Sequence, residues 1–472
     1  MPLLKYILPL LLFCSSFPVA RAQTFLSLDS CRALAITHNN RAKTAQIQVE
    51  KMRYEVNAYR ANFFPRISLQ GMYLLSSGEF GYRNRFDLYN TPIPELIGTL
   101  PIFAGWDSEF LDRLYRSLAL DLDLTVKPHN TYMAGIRFEQ PIFMGGKITT
   151  AHKMAQIGRQ MAQLDVVHSQ EEIILQTDKA YWEYVKVQEL YRAALAYRDA
   201  VGQVCDDARN GVETGLLPEN DRLKAQVQFG EANLLVRQAE NGRRLAQMNL
   251  CMTLGLPLWT LVVPLDSLPD TAATVWPEST PDVTVRTEYA LLHKQMELQR
   301  QQVNLARSEF LPQAGITGGY MYFNGMKLND GAKLLDNASF SALVSLTIPI
   351  TQWGEGINRI RSARADLRMA EYRMQESLDK LCLEIVKTGN TLDEAALQTA
   401  IARDEYAQAT ENLRIRRDRY EVGLENLSSL LEAQALHQQA GSKYIEAKAA
   451  LRIAETDYLR VTGRLKETKR TP

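Results

Sequence analysis

The sequence predicts a mixed α and β membrane protein built from two copies of one unit. Three observations predict this class. They are a tandem repeat over nearly the whole chain, four period-two stretches of about ten residues, and long stretches of helical composition. Each copy of a repeat forms one structural unit, so the two copies are expected to have the same order of helices and strands.

The repeat is visible as identical residues 208 positions apart, and about 115 residues align without a gap. The paired positions are Pro141 with Pro349, Gly215 with Gly423, Ala225 with Ala433, and Gly255 with Gly463. Upstream, residues 56–65 match residues 303–312 with an offset of 247, which places an insertion of about 39 residues in the first copy. The chain is therefore two copies of one unit with one enlarged loop.

The repeat and the chain composition set the expected boundaries. Residues 1–22 have a basic start, an apolar run and an Ala20-Arg21-Ala22 cleavage site, which predict a secretory signal peptide. The first repeat is expected over residues 23–254, a Pro-rich connector over 255–282 and the second repeat over 283–472. No later apolar run reaches the roughly 18 residues of a transmembrane helix, so any membrane passage is expected to use β-strands.

The four period-two stretches cover about residues 66–75, 131–140, 313–323 and 339–350. In the first, Ile67 and Leu69 share one face, and Ser68 and Gln70 share the other. About ten residues is the length of a tilted membrane strand; a soluble sheet with one wet face is the alternative. Four strands are too few to close a membrane barrel, for which about eight is the smallest known number, so an obligate oligomer is expected.

A helix is predicted from Ser27 to Ala61, before the first strand. Long helices are expected over about 147–210 and 356–419, with return helices over about 218–254 and 426–461. Between them a Gly-Leu pair interrupts each helical stretch, which predicts hairpin tips near 211–217 and 420–427 because glycine ends helices in the left-handed conformation. Pro218 suits the first turn of one return helix, and Asn426 or Ser428 can cap the other.

Composition and motifs exclude several function classes. The 54 basic and 54 acidic residues balance, which argues against a nucleic-acid partner held by phosphate neutralisation. The six histidines are scattered, and no catalytic or metal-binding motif is found, so no cofactor, no metal and no enzymatic activity are expected. After signal cleavage the cysteines lack metal-ligand spacing, and a disulfide is left open; they are Cys31, Cys205, Cys251 and Cys382.

The whole mature chain resembles the TolC family of outer membrane efflux channels, also called outer membrane factors. The resemblance rests on an Arg-x-x-Phe-x-Pro motif before the first strand of each copy and on the two hairpin tips. These residues are Arg60, Phe63 and Pro65; Arg307, Phe310 and Pro312; Gly215-Leu216 with Ala225-Gln226; and Gly423-Leu424 with Ala433-Gln434.

The resemblance implies a homotrimer in which each chain contributes four strands to a twelve-stranded outer-membrane β-barrel, continued by a periplasmic α-helical coiled-coil barrel. It implies a passive conduit that contacts outer membrane lipid. A periplasmic adaptor, or membrane fusion protein, joins it to an inner-membrane pump of the RND, ABC or MFS type. A coiled-coil scaffold without a conducting pore is the alternative function.

The resemblance also implies two sites. The adaptor is expected to dock on the tips at Thr214, Gly215, Leu216, Val422, Gly423 and Leu424, because exposed apolar side chains at a turn mark an interface; packing inside the hairpin is the alternative. The periplasmic gate is expected at Asp221, Lys224, Tyr420, Ser429 and Glu432, with a bond from Asp221 to Tyr420 or Arg419 as a latch; a solvated helix face is the alternative.

The enlarged loop, about residues 76–130, places Trp106, Phe110, Leu114 and Leu118 at helical spacing. It is expected to be an elaborated extracellular loop, or else to fold over the barrel mouth or contact a surface partner.

Overall fold

The computed structural model describes residues 24–75, 80–86, 107–117, 120–269, 282–327 and 333–465. The chain divides into two compact units. One comprises the described parts of Met1–Glu55, Met154–Arg300 and Ala365–Pro472, and the other comprises those of Val56–Lys153 and Gln301–Arg364. The predicted signal peptide lies outside the described residues.

Eight α-helices and seven β-strands are found in the described residues. The helices are α1 Leu28–His38, α2 Asn40–Ala61, α3 Ser108–Ser117, α4 Lys147–Glu213, α5 Glu219–Leu254, α6 Thr287–Ser308, α7 Glu355–Glu421 and α8 Leu427–Val461. The strands are β1 Thr24–Leu26, β2 Arg66–Leu74, β3 Phe80–Phe86, β4 Leu120–Met144, β5 Val262–Pro264, β6 Gln313–Lys327 and β7 Lys333–Thr347. Among the described residues, no helix is both long enough and apolar enough to cross a membrane.

The predicted helix over Ser27–Ala61 is wrong in one respect, because it is broken at Asn39 into α1 and α2. Asn39 is extended, with φ −61° and ψ 134°. Its side chain stabilises the break, since Nδ2 donates to the carbonyl of Thr253 at 2.7 Å and Oδ1 accepts from the amide of Arg41 at 2.7 Å. A tertiary hydrogen bond to a distant segment therefore overrides the local helical pattern.

The helical unit is organised around Tyr181 of α4, which is fully buried. Its hydroxyl donates to the carboxylate of Asp266 at 2.7 Å, and the same carboxylate accepts from the amide of Leu28 at 2.9 Å. Beside it, β1 and β5 form a parallel pair in which Thr24 lies opposite Val262. The connector predicted over residues 255–282 thus contains the strand β5. Residues 270–281 of the connector lie outside the described part of the chain.

A buried carboxylate joins three helices of the same unit. Asp178 of α4 is fully buried and accepts hydrogen bonds from the guanidinium of Arg32 of α1. It also accepts from the hydroxyl of Thr456 of α8 at 2.7 Å. The two partners compensate for desolvation of the charge, which is the condition under which a buried carboxylate is tolerated.

All four described cysteines are free, so no disulfide links them. Cys31 lies in the core around Tyr181, and burial, followed by the nearby Asp266, raises the pKa of its thiol to about 12. A thiol with so high a pKa is unreactive at neutral pH. It packs there as a small apolar residue.

The strand unit is an antiparallel sheet with the order β2-β4-β6-β7, and β3 also pairs with β4. Among the described strands, β2 and β7 are each paired on one side only. The register places Leu69, Ile136, Tyr320 and Phe340 in one row across the four strands, and all four are exposed. The neighbouring row on the opposite face holds Ser68, Arg137, Gly319 and Ser341. The sheet therefore has one apolar face and one face of small and polar residues.

The described part of the enlarged loop, about residues 76–130, contains regular secondary structure. β4 extends back to Leu120 and pairs with β3, with Val126 opposite Phe80. The helix α3 occupies Ser108–Ser117 and contains two of the four residues that predicted it, Phe110 and Leu114. The other two, Trp106 and Leu118, lie outside the described residues.

Candidate functional site at the hairpin tips

Both hairpin tips end their long helix by the same hydrogen-bond pattern. At the first tip, the amide of Gly215 donates to the carbonyl of Val212 at 3.0 Å, and Leu216 donates to Gly211 at 2.8 Å. At the second tip, Gly423 donates to Tyr420 at 3.0 Å and Leu424 donates to Arg419 at 2.9 Å. This pattern is the Schellman motif, which needs a left-handed residue. Both glycines supply it, with φ of 76° and 74°.

The residue after each tip glycine is directed to solvent. Leu216 is 82% exposed and Leu424 is 74% exposed, and Val422 is exposed as well. The interior of the tips is filled instead by Leu217 and Tyr420, which pack on a buried cluster. The members of this cluster are Val204, Cys205, Ala208, Ala225, Leu427, Leu430 and Leu431. Packing within the hairpin therefore does not account for Leu216 and Leu424.

Thr214, the remaining residue predicted at the first tip, bonds to the end of the helix that precedes it. Its hydroxyl donates to the carbonyl of Asn210 at 2.9 Å, which satisfies a carbonyl at the helix end. Its side chain is exposed, but its hydroxyl is engaged. Thr214 thus shapes the tip, while Leu216 supplies its apolar surface.

The second tip carries a charged contact that sequence reasoning missed. The side chain of Glu425 is only 13% exposed and pairs with Arg416 at 2.5 Å and more loosely with Arg419 at 4.0 Å. The basic residues just before Gly423 could have indicated a partner for this carboxylate. Its ion pairs thus link the tip to the end of α7.

Four of the five predicted gate residues lie in the first two turns of the return helices, and Tyr420 lies at the end of α7. Asn426 caps α8, and its Oδ1 accepts from the amide of Ser429 at 2.8 Å and from its hydroxyl at 3.1 Å. Lys224 of α5 lies 3.5 Å from Asp221 and donates to the hydroxyl of Ser428 at 2.9 Å. Ser428, which was predicted only as a cap, thus links the return helices of the two copies.

The expected latch is not formed within this chain. No hydrogen bond or ion pair joins Asp221 to Tyr420 or Arg419 in the described residues. Tyr420 is half-buried instead, and burial, then Asp207 and Asp221, raise the pKa of its hydroxyl. Asp221 is therefore near enough to affect Tyr420 electrostatically, but its partner is Lys224.

Glu432 lies on the exposed side of α8 in a shallow groove of about 540 Å³ beside α5. The groove wall includes Lys224 and Ser428 as well as the exposed apolar side chains of Leu223 and Val227. The structure therefore brings Lys224 and Glu432, which are far apart in sequence, to one surface.

In the part of the chain that the structure describes, one cluster of potential metal ligands was not predicted from the scattered histidines. Ligand atoms of His168, Glu171 and Glu288 lie within 4.8 Å of one another. Glu288, however, already pairs with Arg286 at 2.7 Å and lies 3.8 Å from Arg460. These two guanidinium groups supply the positive charge that a metal ion would bring, so the cluster is better described as an ion-pair network.

Comparison with known proteins identifies the family. The model of the outer membrane efflux protein family matches residues 33–256 and 290–464. The chain belongs to the outer membrane efflux protein family. The predicted family is confirmed, and with it the location in the outer membrane with a periplasmic extension.

One curated relative and two solved structures show how similar the chain is to known proteins in sequence and in fold. Outer membrane protein TolC of Vibrio cholerae is 27% identical over 240 residues, which is 49% of this chain and 53% of TolC. The chain thus matches about half the length of this curated relative. Two solved outer membrane channels share the fold. CmeC of Campylobacter jejuni has a TM-score of 0.68 at 17% identity, over 93% of this chain and 86% of CmeC. The open state of MtrE of Neisseria gonorrhoeae has a TM-score of 0.65 at 15% identity, over 93% of this chain and 89% of MtrE.

Proposed function

We propose that the protein is the outer-membrane channel-tunnel of a tripartite export system and acts as a passive conduit, not as an enzyme. The observation that carries this proposal is the sheet of the strand unit. Its exposed row of Leu69, Ile136, Tyr320 and Phe340 suits lipid, and the row of small and polar residues on the other face suits a water-filled lumen.

The free edges of the same sheet support an oligomer. β2 and β7 each present unpaired backbone groups on one side in the described chain. Unpaired edges are not tolerated in lipid, so the edge of β7 in one protomer pairs with that of β2 in the next until a barrel closes. With four strands from each chain, the trimer implied by family resemblance gives twelve strands, within the known range for barrels.

The tips supply the partner surface in this proposal. Leu216, Val422 and Leu424 are exposed apolar residues on rigid, glycine-ended turns. A periplasmic adaptor docks on them and joins the conduit to an inner-membrane pump of the RND, ABC or MFS type. Asp221, Lys224, Ser429 and Glu432 line the periplasmic mouth, where three copies of Glu432 in a ring favour cations.

Planar bilayer recording of the purified protein tests the proposal. A conduit gives stable single-channel currents, and the protein is recovered in the outer-membrane fraction. The second candidate function, a coiled-coil scaffold without a pore, is favoured by the long helices α4 and α7. Outer-membrane protein that gives no stable currents would establish the scaffold and overturn the conduit.

A further inference from the structure

A cavity of about 390 Å³ lies among α4, α7 and α8 in the helical unit. We call it the aromatic cavity, because its wall includes Tyr197 of α4, Tyr406 of α7, and His437 and Tyr444 of α8. Its volume falls in the range of about 300–1,000 Å³ that is typical of small-molecule sites. All of its lining residues belong to the helical unit.

The aromatic wall is ordered by contacts among its own rings. Tyr406 stacks on Tyr444 with ring centroids 6.1 Å apart and lies 5.1 Å from the ring of His437. A Cβ added at Gly441, in the same wall, would lie 3.1 Å from Cε2 of Tyr406. Glycine at this position therefore makes room for the tyrosine ring and keeps the cavity open.

The charge in the wall is positive. Arg417 and Lys448 line the cavity, and the lining residues include no carboxylate. The ammonium group of Lys448 lies 4.7 Å from the ring centroid of Tyr444, while Arg417 forms no ion pair with any described residue. Burial, then the nearby Arg417, lowers the pKa of His437, so this imidazole is neutral at neutral pH. The charge of Arg417 is thus the one available to a ligand among the described residues of the wall.

An unsatisfied amide gives an independent sign of a missing ligand. Gln434 lines the aromatic cavity, is only 3% exposed, and its Oε1 has no hydrogen-bond partner. A buried polar atom without a partner is destabilising, and most such atoms in folded proteins are satisfied. If the side-chain amide of Gln434 is turned by about 180°, its nitrogen takes the place of the oxygen. A hydroxyl group of a ligand can bond to either atom, because a hydroxyl both donates and accepts.

The first copy of the repeat lacks most residues of this wall. At the positions 208 residues earlier, Tyr406, His437, Tyr444 and Lys448 correspond to Arg198, Phe229, Val236 and Glu240. Gln226, which corresponds to Gln434, is exposed. Arg417 is matched by Arg209 in the first copy, whereas the buried amide and the aromatic residues Tyr406, His437 and Tyr444 are found only in the second. Hairpin packing alone therefore does not require this aromatic wall or the buried amide.

We propose that the aromatic cavity binds a hydroxylated aromatic carboxylate. Its carboxylate pairs with Arg417, its ring packs on Tyr406, and its hydroxyl satisfies Gln434. This site does not depend on the conduit role, because it lies in the wall of the helical unit and concerns binding alone.

Isothermal titration of the purified, assembled protein in detergent tests the proposal with 6-hydroxy-2-naphthoate as probe. We expect saturable binding. Because charge and hydroxyl each contribute, 6-hydroxy-2-naphthylmethylammonium should bind at least about tenfold more weakly, and 2-naphthoate about fivefold more weakly. Equal binding of the cationic probe would overturn the proposal. The absence of saturable binding would also overturn it and would favour a side chain of a neighbouring protomer as the occupant.

Matched variants locate the binding. Arg417→Gln should weaken binding of 6-hydroxy-2-naphthoate about tenfold, whereas Arg209→Gln, at the corresponding position of the first copy, should not change it. Gln434→Leu should abolish the preference for 6-hydroxy-2-naphthoate over 2-naphthoate without lowering the melting temperature, because it removes an unsatisfied buried amide. Gln226→Leu is its control. Unchanged affinity in Arg417→Gln, or an unchanged preference in Gln434→Leu, contradicts the assignment.

Discussion

At the residue scale, the exposed leucines of the tips are the most direct test of adaptor docking. Leu424→Asp places a charge on a side chain that is 74% exposed, so the hairpin should fold normally while an apolar interface is lost. We expect export to fall at least tenfold at an unchanged amount of assembled protein in the outer membrane, measured by substrate accumulation in whole cells. Leu245→Asp, at an exposed leucine of α5 away from the tips, is the control and should export normally. Normal export by Leu424→Asp would rule out the tip as docking surface.

Glu432 allows an equally local test of the periplasmic mouth. It makes no hydrogen bond or ion pair within the described chain, so its neutralisation should leave assembly intact. Glu432→Gln should reduce the cation preference of the open channel, measured from reversal potentials in a salt gradient. Glu446→Gln, at another exposed carboxylate of α8, should leave the reversal potential unchanged. Identical potentials for the parent and Glu432→Gln would place the constriction elsewhere.

At the element scale, two helix-ending glycines with the same conformation should differ in their tolerance of alanine. Gly215 and Gly255 have φ of 76° and 70°. A Cβ at Gly215 meets no atom within 4 Å, so alanine there should cost only the strain of about 1–2 kcal/mol. At Gly255 the Cβ would lie 2.5 Å from the carbonyl oxygen of His38, so the break between α1 and α2 must also shift.

Thermal unfolding followed by circular dichroism compares the two variants. Gly255→Ala should lower the melting temperature clearly more than Gly215→Ala. Equal losses would show that the backbone at His38 shifts to accept the added Cβ at no measurable cost in stability.

The ion pairs of Glu384 predict how the stability of the folded protein depends on pH. Burial opposes ionisation of Glu384, but hydrogen bonds from Arg460 and Arg286 outweigh it and lower its pKa below the usual 4.5. The folded state therefore holds this proton less tightly than the unfolded state does. The contribution of Glu384 to the free energy of unfolding is fully present above about pH 4.5. It is lost as the pH falls through the lower folded-state pKa.

The melting temperature measured against pH tests this dependence. Glu384→Gln should melt below the parent at neutral pH and lose less on acidification to pH values under about 4.5. Glu376→Gln is the matched control on α7, because the pair of Glu376 with Lys380 is exposed and screened by solvent. If the two variants have the same pH profile, the network around Glu384 is not stabilising.

Sequence patterns predicted elements where one local signal decides the structure. Gly215 and Gly423 are such positions, because a left-handed residue ends a helix whatever surrounds it. Asn39 is the opposite case, since its break depends on the carbonyl of Thr253, which is distant in sequence. The back-extension of β4 could have been found from the alternation of leucine with aspartate that begins at Leu120. The contact of Lys224 with Ser428 could not, because it needs the two return helices side by side.

At the scale of the whole molecule, closure of the sheet is the property that decides between a ring and an open assembly. Gln70 of β2 and Ser341 of β7 lie on the two edge strands, on the face of small and polar residues. Pairing Gln70→Cys with cysteine at Ser339, Ser341 or Ser345 should give disulfides between protomers in at least one combination. Denaturing gels should show species of two and three chains and nothing larger, because a closed trimer has no free edge.

Gln70→Cys alone is the control for this experiment and should give no species of three chains. A ladder that continues beyond three chains would mean an open, heterologous assembly in place of a closed ring. No cross-link in any combination would mean that the two edges do not meet.

The buried carboxylate of Asp178 also sets an order on folding. Its two partners, Arg32 and Thr456, are 146 residues before it and 278 residues after it. Contacts over such separations form late, because a long loop must close before they are made. Until α8 is in place, the charge on Asp178 lacks one of its partners, so the first copy cannot reach its final stability alone. We therefore expect a chain that ends before α8 to be less protected from proteolysis around Asp178 than the whole protein is.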